Sequence, residues 1–128
     1  MKLREHLKKL YRWERGRQET GYDKMLLGVA FWPLPMDIYL LRFNEGSEIP
    51  PHRDSVEKGD HFRLNLVLKA AKLGGEFNCV DPIFETQRIK FFRPDVSEHS
   101  VSKVVKGNRY LLSVGWVLAH NKLQQGTR

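Results

Sequence analysis

Turn-forming residues interrupt this chain every few positions from residue 25 onward, and nothing else in the sequence limits the possible folds so strongly. The interruptions are Pro33/Pro35, Asn44–Gly46, Lys58–Asp60, Gly74–Gly75, Asp81–Pro82, Pro94–Asp95 and Lys106–Asn108. Between them lie runs of β-type composition: Met25–Phe31, Asp37–Asn44, Ile49–Arg53, His61–Lys69, Glu76–Cys79, Arg88–Phe92, Ser97–Val104 and Asn108–Leu118. Few of these runs are long enough for an ordinary helix, and their spacing predicts about eight short strands closed into a sandwich, barrel or jelly roll.

Ahead of this region, Leu3, Leu7, Leu10 and Tyr11 recur at helical spacing among Lys and Arg, which predicts a helix over residues 2–19. A helical lead-in (residues 1–20) and a β core (25–118) make one domain spanning 1–128, with no internal repeat and no linker. A chain of 128 residues can bury a core without covalent staples. Cys79 is the only cysteine, so neither an intramolecular disulfide nor a cysteine-rich metal cluster is available. No window approaches a membrane span and the charged N-terminus does not read as a signal peptide, so the expected compartment is the cytoplasm and no membrane partner is expected. The net charge of +7 reads first as a solvated basic surface; nucleic acid remains open as a partner, although no motif for it accompanies the charge.

Strand alternation carries the next inference. In Arg63–Leu68, Arg63, Asn65 and Val67 share one face and three leucines the other; in Arg109–Val114, Arg109, Leu111 and Ser113 share a face. Charged and polar groups facing into a small barrel are costly unless they are paired. Two such strands therefore predict a polar interior pocket.

The segment Pro50-Pro51-His52-Arg53-Asp54 places a histidine and an aspartate on the same side of an extended stretch. Both reach one ion while Arg53 turns away. A second imidazole from a distant strand, His99, completes a set of two histidines and one carboxylate, which leaves several coordination positions open for iron(II) oxygen chemistry. Alone, a His-x-Asp tripeptide also fits a surface ion pair or a turn. Arg109, ten residues past His99 and beyond a turn, can sit on the next strand and face the same pocket, and its forked guanidinium calls for a carboxylate.

His52-x-Asp54, the later His99 and Arg109 together resemble the 2-oxoglutarate/iron(II)-dependent oxygenase superfamily, in its prolyl-hydroxylase-like branch. The similarity extends over Tyr39–Gly46, over the Gly74–Gly75 turn and over Arg88–Asp95 leading to His99, about residues 36–118 in all. The resemblance implies a mainly β fold, a double-stranded β-helix of jelly-roll or cupin-like form. It implies iron(II) on His52, Asp54 and His99, and 2-oxoglutarate paired with Arg109 and touched by Ser113, Tyr39 and Asn65. Dioxygen would be consumed and ascorbate would serve as an accessory reductant. The implied reaction is hydroxylation of an unactivated C–H bond with release of succinate and carbon dioxide. A polypeptide side chain, a small metabolite and a nucleobase all remain open as substrate.

Two other readings stay in view: a cupin-type enzyme that uses no 2-oxoglutarate, and a non-catalytic metal-binding or ligand-binding barrel. The second would be favoured by an Arg109 engaged by a protein carboxylate and a blocked pocket. Of the remaining residues, His61 and His120 are expected at the surface, Trp32 and Trp116 in the core or the pocket wall, and Cys79 as a small buried hydrophobe.

Overall fold

The computed structural model describes residues 3–16, 20–54 and 59–119. One helix, α1 (Leu3–Lys9), precedes twelve strands. These are β1 (Trp13–Arg15), β2 (Tyr22–Ala30), β3 (Met36–Phe43), β4 (Ile49–His52), β5 (Asp60–Lys69), β6 (Leu73–Gly74), β7 (Phe77–Cys79), β8 (Phe84–Glu85), β9 (Ile89–Phe92), β10 (His99–Val101), β11 (Val104–Lys106) and β12 (Arg109–Leu118). A seven-stranded sheet runs β1-β2-β3-β12-β5-β9-β8 and faces a three-stranded sheet, β4-β10-β7; β11 and β6 close one end as a pair. From β3 onward the chain passes repeatedly between the two facing sheets, which makes the jelly roll that the strand spacing allowed and the double-stranded β-helix that the resemblance implied. Among the described residues, no helix is long and apolar enough to cross a membrane.

The alternation read in the sequence holds on both central strands. On β5, Asn65 and Val67 are buried while Leu64, Leu66 and Leu68 face outward; on β12, Arg109, Leu111 and Ser113 are all buried. The apolar part of the interior gathers Tyr22, Phe43, Val101, Val104 and Leu111 from both sheets, with the Tyr22 and Phe43 rings stacked at 4.9 Å. Each such side chain contributes roughly 2–3 kcal/mol by leaving water. The run Ser97–Val104 does not form one strand; it splits into β10 and β11, which pair with different partners.

The predicted 2–19 helix is the main correction. It ends at Lys9, and Tyr11 takes a left-handed conformation (φ 61°). The amide of Tyr11 then donates to the Leu26 carbonyl at 2.9 Å, and Trp13–Arg15 pairs antiparallel with β2. The open edge of β2 offers unpaired backbone groups, and bonding to them outcompetes continuing a marginal helix. Gly16 is required there because a Cβ would occupy the space of the Tyr22 ring. Residues 17–19 of the expected helix, and His120, lie outside the described residues.

Candidate metal centre

His52 ends β4 and His99 begins β10, and the two are direct register partners across that antiparallel pair. Their rings stand 4.3 Å apart, centroid to centroid. Asp54 follows beyond the strand end, where its amide donates to the Pro94 carbonyl at 2.7 Å instead of to a ladder partner. That bond turns the carboxylate onto the two rings: Asp54 Oδ1 lies 3.3 Å from His52 Nε2, and Asp54 Oδ2 lies 3.4 Å from His99 Nε2.

The outer nitrogens decide what this cluster can hold. His52 Nδ1 is 2.9 Å from the Pro50 carbonyl, and His99 Nδ1 is 2.9 Å from the Ser97 carbonyl. A carbonyl only accepts, so each Nδ1 carries its proton, and in a neutral ring Nε2 presents a lone pair. Two lone pairs and a carboxylate then face each other, an arrangement relieved by a shared cation, whether a metal ion or a proton. The ligand atoms of the three side chains all fall within 4.8 Å of one another. Metal bonds of about 2.1 Å set neighbouring ligand atoms of one ion roughly 3 Å apart, close to the observed Nε2–oxygen spacings. Histidines whose second nitrogen is fixed by a carbonyl are the usual form of a metal ligand. The donor set therefore fits a divalent cation, and two imidazoles with one carboxylate fit iron(II) with positions to spare.

A turn, Arg93–Glu98, supports this arrangement. Arg93 makes a forked bond to Asp95 (2.6 and 3.1 Å) and reaches Asp60 at 3.0 Å, while Asp95 also accepts from the His61 amide at 3.2 Å. Burial raises the Asp95 carboxyl, but the Arg93 and His61 hydrogen bonds and the Arg93 charge outweigh it, so its pKa lies below the ordinary carboxylate value. The same turn supplies both the Pro94 carbonyl to Asp54 and the Ser97 carbonyl to His99.

Between the sheets lies a cavity of about 280 Å³. His52, Asp54 and His99 line it from the small sheet; Tyr39, Asn65, Arg109 and Ser113 line it from the large one. The structure thus brings all seven sequence-predicted residues to one cavity. Ser113 sits in register between Tyr39 on β3 and Asn65 on β5, so these three form one row. Asn65 Oδ1 is buried with no hydrogen-bond partner among the described residues. Ser113 Oγ accepts from Arg63 Nη1 at 2.7 Å, which leaves its own hydroxyl proton to donate. Arg109 is only 4% exposed, lies over the Phe43 ring at 5.2 Å, and among the described residues makes neither an ion pair nor a hydrogen bond. Burial lowers its pKa to about 10, which still leaves it charged at neutral pH.

Sequence reasoning passed over other cavity residues. His61, expected at the surface, is half-buried in the wall, and burial followed by the nearby Arg63 charge lowers its pKa. Alternation backward from Asn65 through Arg63 would have placed it inward. Lys24 also lines the cavity; no signal marked it, because the β2 strand starts earlier than the composition suggests. Trp32, expected in the core or pocket wall, is 85% exposed on the loop after β2, whereas Trp116 stacks on Phe62 at 6.1 Å. Cys79 is partly buried, with Sγ 3.2 Å from Ser97 Oγ.

No protein-family model and no curated protein matches the sequence. Solved structures do match in shape. The Schizosaccharomyces pombe Cnp3 cupin domain superposes with a TM-score of 0.58 at 13% identity, covering 91% of this chain and 74% of that one. KdgF from a Halomonas species gives 0.55 at 12%, covering 89% and 93%. Rru_A2000 from Rhodospirillum rubrum, a cupin-2 domain, gives 0.53 at 10%, covering 86% and 70%. At these identities the likeness reports architecture alone, and it points to cupins in general rather than to the oxygenase branch that the sequence motifs resemble. The chain has the cupin, or jelly-roll, fold, with a candidate three-residue metal centre at the mouth of its barrel.

Proposed function

We propose that this protein is an iron(II)- and 2-oxoglutarate-dependent dioxygenase that hydroxylates an unactivated C–H bond and releases succinate and carbon dioxide. One observation carries the reading. The cavity holding the His52–Asp54–His99 cluster also holds Arg109, a buried cation with no carboxylate partner among the described residues. A desolvated guanidinium of this kind favours a ligand that brings its own carboxylate. A dicarboxylate joins the two features, with one end at the metal and the other on Arg109.

Iron(II), when bound, supplies the oxidative chemistry; the chain supplies position and exclusion of water. His52, Asp54 and His99 hold the ion, and the Pro50 and Ser97 carbonyls fix the two rings so that Nε2 faces it. Arg109 orients the co-substrate through its distal carboxylate. Ser113 donates its hydroxyl proton to the same group, and Asn65 and Tyr39, its register partners, complete the row. Phe77, Phe92, Val101 and Leu111 line the remainder and lower the local dielectric, which strengthens each polar contact.

A protein carboxylate on Arg109 and a blocked pocket would favour a silent barrel, and neither is seen among the described residues. Anaerobic titration of the protein with iron(II) and 2-oxoglutarate tests the proposal. The expected result is the weak visible charge-transfer band of a chelated 2-oxo acid. Folded, metal-loaded protein that shows no band and no 2-oxoglutarate binding would instead be a cupin with other chemistry.

A further inference from the structure

A second recess, of about 580 Å³, opens at the other end of the barrel, where β5, β6 and β9 meet the start of β12. Arg109 and Phe77 line both it and the main cavity, so these two side chains are the wall between them. Its other charged residues are Lys72, Arg88, Lys90 and Glu76. Lys90 is already held by Glu85 at 3.9 Å and by the Thr86 carbonyl at 2.6 Å. Arg88 reaches only a neutral group, the Val67 carbonyl at 3.3 Å, and Lys72 and Arg109 have no acidic partner among the described residues. Three cations without a carboxylate therefore stand against one acid, Glu76, an excess of about two charges. Gly75 shapes the shared wall: a Cβ there would lie 3.5 Å from Arg109 Cδ and 2.8 Å from Val104 Cγ2.

We propose that this recess is a second anion site, for a dianion of the phosphate-monoester class, and that its occupant draws on the same Arg109 as the main cavity. Two guanidinium forks and an ammonium suit the several oxygens and double charge of a phosphate head. The recess also has room for an organic group behind that head. Because one guanidinium serves both sides, an anion here weakens whatever carboxylate binds in the main cavity; this coupling rests on the co-substrate reading above, but the site itself does not.

The test is amide NMR of the metal-free protein titrated with glycerol 3-phosphate, with inorganic phosphate, and with chloride at matched ionic strength. Saturating shifts are expected at Lys72, Gly74 and Gly75 with the ester, and at least tenfold weaker binding in the Lys72→Gln/Arg88→Gln variant, both positions being exposed. Shifts reproduced by chloride, equal affinity in the variant, or inorganic phosphate binding tenfold more tightly than the ester would each overturn the assignment. In metal-loaded protein, the ester should raise the half-saturating concentration of 2-oxoglutarate in the native chain and not in the double variant. An unchanged value in the native chain breaks the coupling. Failure of 2-oxoglutarate to bind at all counts against the proposed function and leaves the metal-free shifts to decide the site.

Discussion

Replacing Arg109 with methionine should make the empty protein more stable and the liganded protein less responsive. Burial alone lowers the Arg109 pKa from its ordinary value to about 10, with no partner among the described residues offsetting it. It corresponds to roughly 3 kcal/mol of unfavourable burial of the charge. Methionine keeps the unbranched stem and removes that cost. It also forfeits the cation–π contact with Phe43, worth up to about 2 kcal/mol when desolvated. The net gain is on the order of 1–2 kcal/mol, or a rise of about 3–10 °C in Tm for a domain of this size. Ligand response moves the other way. At a 2-oxoglutarate concentration 100-fold above Kd, the native metal-loaded protein should gain about 2.7 kcal/mol. Losing a charge-assisted pair costs about 2–3 kcal/mol, which weakens binding at least 30-fold and reduces that gain to under about 1 kcal/mol. Differential scanning calorimetry of the manganese-loaded protein, with and without 2-oxoglutarate, measures both effects. A lower Tm in the empty variant would show that the guanidinium is a satisfied structural group, and the argument from its isolation would fail. An undiminished ligand response would remove Arg109 from the co-substrate site.

Alanine at His52, Asp54 or His99 should weaken manganese(II) binding at least 100-fold by isothermal titration calorimetry while leaving the far-UV circular dichroism unchanged; native affinity in any one variant strikes that residue from the ligand set. Gly75→Ala should cost about 2–3 kcal/mol in urea unfolding, because φ is +68° and the new Cβ would lie 2.8 Å from Val104 Cγ2; a cost under about 0.5 kcal/mol would contradict that geometry. The folded Asp95 carboxyl titrates below its unfolded value of about 3.9, so its contribution is present above that pH and is lost as pH falls toward the folded pKa. Urea midpoints should therefore drop below about pH 4 in the native chain and drop less in Asp95→Asn; parallel profiles would show that the Arg93–Asp95 pair adds nothing.

How much of this was legible in the sequence depends on whether a feature is written in side-chain type or in backbone position. The strands of the barrel could be read because period-two burial acts on side chains: Asn65 and Val67 inward, Leu64 and Leu66 outward. His52 and Asp54 could be paired because two residues on an extended segment share a side whatever the tertiary fold. The helix boundary was misread because Leu10 and Tyr11 satisfy helical spacing, while the bond that ends the helix, from the Tyr11 amide to the Leu26 carbonyl, depends on a sheet edge fifteen residues away. The supports of the candidate metal centre were invisible for the same reason. What orients His52, His99 and Asp54 is three carbonyls, those of Pro50, Ser97 and Pro94. Every residue carries a carbonyl, so no residue type at those positions announces the role. Only the forked Arg93–Asp95 pair, which holds the turn bearing two of the three, leaves a trace in side-chain chemistry. It does so as an ordinary i, i+2 ion pair whose importance appears only once Asp60 and His61 are seen to close around it.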